Sequence, residues 1–95
     1  MLTSKQRSKL KTIAAGIPAA FQVGKGGISD AQVRQIDDYL RAHEIIKINC
    51  LDNSLYTPLE AANELSERLN AEVVITIGQK AVLYRKNPDK PLIEL

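Results

Sequence analysis

The chain has 95 residues, 44% hydrophobic and 25% charged, with a formal net charge of +2; this suits one folded domain with a small core and disfavours a large catalytic cleft or a two-domain cofactor site. A single cysteine, Cys50, rules out an internal disulfide, and with one histidine, His43, it cannot complete a tetrahedral zinc site. No apolar run approaches the ~20 residues of a membrane span, and the basic N-terminus has no apolar signal core behind it, so the expectation is a cytoplasmic domain over residues 1–95 with no membrane contact.

A first helix is predicted over residues 4–15, capped by Thr3 or Ser4 and ended by Gly16 and Pro18. Its buried stripe is Leu10, Ile13, Ala14 and Ile17. Lys5, Arg7, Lys9 and Lys11 take its flanks and back, and no acid lies three or four residues away in the helix to neutralise them. Residues 20–23 read as a short strand, broken by Gly24-Lys25-Gly26-Gly27. Ser29-x-x-Gln32 is a capping box that opens a second helix, with Val33, Ile36 and Leu40 as its apolar face. Arg34 with Asp38, and Asp37 with Arg41, have the spacing of helical ion pairs.

Residues 45–51 form the next strand, with Ile46, Ile48 and Cys50 on one face by alternation. Thr57-Pro58-Leu59-Glu60 combines an N-cap, a first-turn proline and a capping-box glutamate. It opens a third helix running to about Asn70, with Leu59, Ala62, Leu65 and Leu69 inward and Glu60, Glu64 and Glu67 outward. Residues 72–77 are a β-branched strand, 78–80 a tight turn and 81–85 a final strand. Asn87-Pro88 stops regular structure and leaves 87–95 as a C-terminal tail. The order α-β-α-β-α-β-β holds two strand–helix–strand units, which argue for parallel neighbours, and a hairpin. The expected architecture is an α/β fold with a four-stranded mixed sheet packed with three helices.

Charge is unevenly spread. Residues 1–34 hold six basic groups and one acid, residues 35–78 hold three basic groups and eight acids, and residues 79–95 hold four and two. A basic start and end around an acidic middle suggest one positive surface for a polyanion, against the plainer reading of lysines that solvate a helix. The sharpest local signal is Val23-Gly24-Lys25-Gly26-Gly27-Ile28-Ser29, a strand, a glycine loop and a helix start. Three glycines in four residues let a ligand backbone approach, first-turn helix amides point the same way, and Lys25 adds a mobile cation. Neither the Walker nor the dinucleotide pattern is present, whereas Gly24-x-x-Gly27 fits the loop with which KH-type modules clamp a nucleic-acid backbone. A tight strand-to-helix turn is the structural alternative for that pattern.

Around these residues the chain resembles the CRM-domain family, in particular its stand-alone bacterial YhbY-like members. The resemblance rests on residues 2–7, on 23–28, on Glu44-Ile45-Ile46-Lys47-Ile48 and on residues 77–85, in that order along about residues 2–86. It implies a fold similar to the C-terminal domain of translation initiation factor three. It also implies RNA binding through the G-x-x-G loop and association with precursors of the large ribosomal subunit, and its loop roles carry onto Gly24, Lys25 and Gly27. A polar residue often stands in the family where this chain has Gly26, a departure that removes one side-chain contact and leaves backbone clamping intact.

The expected RNA-binding set is therefore Gly24, Lys25, Gly26 and Gly27, with Lys5, Arg7, Lys9 and Lys11 as a group. Lys80 and Arg85 join it from charge alone. With aromatics at 4% there is no stacking platform, and Tyr84 and Phe21 read as core. His43 reads as a structural cation near a helix end, and Cys50 as inert. No nucleophile–base pair or carboxylate dyad stands out, so neither catalysis nor a cofactor is expected. The leading expectation is a monomeric module that recognises ribosomal RNA on pre-large-subunit particles, with ribosomal proteins as further partners. The other is a protein-interaction adaptor that uses the acidic third helix.

Overall fold

The computed structural model describes residues 2–95. Its elements are α1 (Ser4–Ala15), β1 (Phe21–Val23), α2 (Asp30–His43), β2 (Ile45–Cys50), α3 (Pro58–Leu69), β3 (Glu72–Ile77) and β4 (Lys80–Tyr84). Three capping boxes fix the helix starts. Thr3, Ser29 and Thr57 each accept the amide three residues on, and Gln6, Gln32 and Glu60 reach back to the cap amide. Each box satisfies two backbone donors that a bare helix end would leave to water.

The sheet order is β1-β2-β4-β3, with β1 parallel to β2 and β4 antiparallel to both of its neighbours. The second expected pair of parallel neighbours is thus corrected: β4 inserts between β2 and β3. Both crossovers still step the same way across the sheet, so right-handed connections put α2 and α3 on the same face. There they cover Ile46, Ile48, Cys50, Ala81 and Leu83 with Ile36, Leu40, Ala61, Ala62, Leu65 and Leu69. On the opposite face Leu10 and Ala14 of α1 cover Ile45, Val74, Val82 and Tyr84. The alternation read for β2 holds on both sides.

Two helix-face details differ from expectation. Leu59 is 55% exposed, and Ala61 takes the inward place beside Ala62. Among the described residues Arg34 forms no ion pair; Arg41 instead approaches both Asp37, at 2.9 Å, and Asp38, at 3.6 Å.

Strand directions sort the connections by end. The 24–27 loop after β1, the connection after β2 and the β3–β4 turn lie at one end, where Cys50 N–H donates to the Gln79 carbonyl at 2.7 Å and Leu51 N–H to the Val23 carbonyl at 2.9 Å. The C-terminal side of α1 reaches the same end. The start of α1 lies at the other, where Leu2 N–H donates to Glu72 Oε2 at 3.1 Å.

That far end also holds the chain after β4, which forms no helix or strand. Glu44, fully buried at φ 67°, accepts amide hydrogens from Asn87 at 2.6 Å, Leu92 at 2.5 Å and Ile93 at 2.6 Å. Ile93 packs against the α1-side core. The expected tail is therefore tied to the domain by a buried carboxylate.

Candidate functional site

The glycine loop is a tight turn. Gly27 N–H donates to the Gly24 carbonyl at 3.0 Å, and Leu55 N–H donates to the same oxygen at 3.2 Å. The three glycines are not equivalent. Gly27 is buried at φ +74°, and a Cβ there would meet Leu55 Cδ2 at 3.0 Å and Tyr56 Cε2 at 3.4 Å. It needs to be glycine for both conformation and space. Gly24 has room for ordinary contact with Leu51, and a Cβ on Gly26 would meet nothing within 4 Å.

Lys25 and Gly26 form the exposed tip of this turn. Beyond it, Ser29 occupies the Gln32 amide as the N-cap, which leaves the amides of Asp30 and Ala31 at the open start of α2. Asp30 opposes an anion there, and its carboxylate is held by Arg68 at 2.6 Å. The loop thus offers a cation and a Cβ-free backbone beside a helix N-terminus, the chemistry of a phosphate contact.

The structure brings some of the sequence-predicted cations to this end and keeps others away. Lys80 starts β4, opposite Asn49 of β2 and Ile77 of β3, and is exposed. Lys11 lies on the same α1 side of the sheet, and the two lysines line one open groove of about 340 Å³. Lys47, passed over from sequence, lines it too and donates from Nζ to the Ile17 carbonyl at 2.8 Å. Its signal was available: it alternates with the core residues of β2, which puts a lysine on the α1 face.

Lys5 and Lys9 are exposed on the outer side of α1, towards its start, and Lys9 Nζ donates to the Glu94 carbonyl of the tail. Arg7 turns inward. Its guanidinium donates to the Val73 and Val74 carbonyls at 2.6 and 2.7 Å, where the register of β3 shifts against β4. Arg85 lies at the end of β4 remote from Lys80. It donates to Asp37 Oδ1 at 2.7 Å and to the Asp37 and Leu69 carbonyls at 3.0 Å. Both arginines, expected as ligand contacts, are thus engaged within the fold.

The aromatic residues are also occupied. Tyr84 is buried, Phe21 meets Tyr39 edge-on at 5.9 Å, and Tyr39 lies against His43 at 4.2 Å. Among the described residues no group of three His, Cys, Asp or Glu side chains is placed to hold a metal, and no helix is long and apolar enough to cross a membrane.

Comparison with known proteins gives one answer at three levels. The model of the CRS1 / YhbY (CRM) domain matches residues 2–85. The "Probable RNA-binding protein YqeI" of Bacillus subtilis is 38% identical over 95 residues, covering 100% of this chain and 99% of the relative. A protein of Haemophilus influenzae named "RNA-binding protein" is 28% identical over 88 residues, covering 93% and 89%. The solution structure of SAV1595 from Staphylococcus aureus superposes with a TM-score of 0.73 at 39% identity, covering 100% of this chain and 99% of that one. The chain belongs to the CRS1 / YhbY (CRM) domain family.

Proposed function

We propose that this chain is a non-catalytic RNA-binding module that grips the backbone of structured ribosomal RNA during assembly of the large ribosomal subunit. Relatives of matching length are named RNA-binding proteins. The observation that carries the reading is the loop tip: Lys25 and Gly26 project into solvent from a turn whose base is fixed by Gly27. A phosphate run seated there meets the Lys25 ammonium and the open amides at the start of α2. Gly24 and Gly26 add no Cβ to hold the strand off. Lys80 and Lys11 extend the positive track at the same end of the sheet, and Lys5 and Lys9 add weaker charge further along α1. Such binding reads backbone and shape, since the aromatic rings that would stack bases are occupied within the fold.

The test is a titration of a pre-large-subunit ribosomal RNA fragment against equal-length duplex DNA across salt. The RNA is expected to bind more tightly. Lys25→Ala is expected to reduce the slope of log affinity against log salt by about one while leaving thermal unfolding unchanged. An unchanged RNA affinity in Lys25→Ala overturns the reading. An association that instead responds to Glu64→Gln or Glu67→Gln favours the adaptor.

A further inference from the structure

An open groove lies between the C-terminal half of α1 and the β3–β4 hairpin. Its volume is about 340 Å³; its floor includes Ile75 and Val82, and Lys11, Lys47 and Lys80 line it with no acidic side chain among them. Ile77 stands at its rim, 64% exposed on the edge strand. The register places Lys80 between Ile77 and Asn49, so lysine and isoleucine present side by side on the α1 face. The nearest turn acid, Asp52, is occupied by the Gln79 side-chain amide at 3.1 Å. Lys47 spends one donor on the Ile17 carbonyl, while Lys11 and Lys80 have no protein partner among the described residues.

An exposed isoleucine at the rim, flanked by two unpaired cations, fits a ligand with a flat apolar body and an attached anion. The glycine loop lies at the same end of the sheet, two strands away, about 10 Å at the usual strand spacing. Resting on the RNA-binding reading above, we propose that this groove takes one unpaired nucleotide of the bound strand. Its base lies on Ile77 and the floor, and its phosphates lie against Lys11 and Lys80. The loop holds backbone without regard to the base, and the groove makes the complex prefer RNA with an unpaired nucleotide beside the gripped segment.

The experiment uses the full chain with a dodecamer of uridines and with an abasic ribose-phosphate chain of the same length. The intact oligomer is expected to bind more tightly than the abasic one. Ile77→Ser is expected to weaken the intact oligomer about five- to tenfold, at an unchanged salt slope, and to leave the abasic oligomer unaffected. Lys80→Gln should weaken both and lower the slope by about 0.7. Equal effects of Ile77→Ser on the two oligomers, or none on either, overturn the inference. So does failure of the uridine oligomer to bind while structured ribosomal RNA still binds through Lys25, an outcome that leaves the module reading standing. Loss of all RNA binding takes down both.

Discussion

Gly26 and Gly27 are neighbours in one turn and should answer the same substitution differently. Gly27→Ala forces an L residue into φ +74° and pushes its Cβ against the Leu55 side chain; an unfolding titration should show a loss of about 1–2 kcal/mol. Gly26→Ala adds a methyl group to open space and should change stability by less than about 0.5 kcal/mol. The motif was legible as four letters. Which glycine is obligatory was not, because it depends on Leu55 and Tyr56 arriving from another connection. Two buried titrating groups make a second test at this scale. Burial pushes the Cys50 thiol up from its ordinary 9.0, and burial with the Glu44 charge pushes the Tyr84 phenol up from its ordinary 10.0. Each keeps its proton in the folded state to higher pH than in the unfolded chain. Above about pH 9 the unfolded chain therefore binds fewer protons, and stability falls as pH rises. Denaturant titrations from pH 7 to 10.5 should be flat and then decline, and Tyr84→Phe should reduce the upper part of the decline.

At the scale of elements, α1 is the helix whose role is hardest to read. Its four basic residues look interchangeable in sequence, yet they divide three ways: Arg7 into the sheet, Lys11 to the groove, Lys5 and Lys9 outward. The cause lies in β3, where the register shift between Val73 and Ile75 leaves two adjacent carbonyls that Arg7 satisfies together. A bulge on an edge strand has no marker in a β-branched run, so this tie could not be anticipated. Arg7→Ala should cost about 1.5–3 kcal/mol in urea unfolding, as expected for charged hydrogen bonds to part-buried carbonyls. The slope of RNA affinity against salt should not move. Lys25→Ala is predicted to show the opposite pattern, so the two variants separate fold from binding. The helices and strands were legible because capping boxes and alternation are local. The insertion of β4 between β2 and β3 was not, since hairpin strands can pair onward through either partner, and only long-range packing selects one.

Over the whole molecule, the two ends of the sheet do different work. One end gathers Lys25, Lys80, Lys11 and Lys47 beside the glycine loop and the β3–β4 turn, and the other closes the chain. There Glu44 holds three amides of the segment after β4, and Ile93 packs into the α1-side core. A left-handed, fully buried glutamate is unfavourable alone, by about 1–3 kcal/mol for the backbone, and the bonds to the C-terminal segment offset that cost. Sequence showed an acid before an apolar strand and a polar, proline-bearing end, with nothing to join them across more than forty residues. Because carboxylate and tail form one unit, Glu44→Ala and truncation after Lys86 should each cost about 2–4 kcal/mol. Their combination should cost little more than either alone, a non-additivity that a double-mutant cycle reads directly. All three variants, assayed at a temperature where they remain folded, should bind RNA as the unaltered chain does, because the tie lies at the end of the sheet remote from the glycine loop. A loss of RNA affinity on truncation, with Lys25 intact, would instead place the tail in the binding surface.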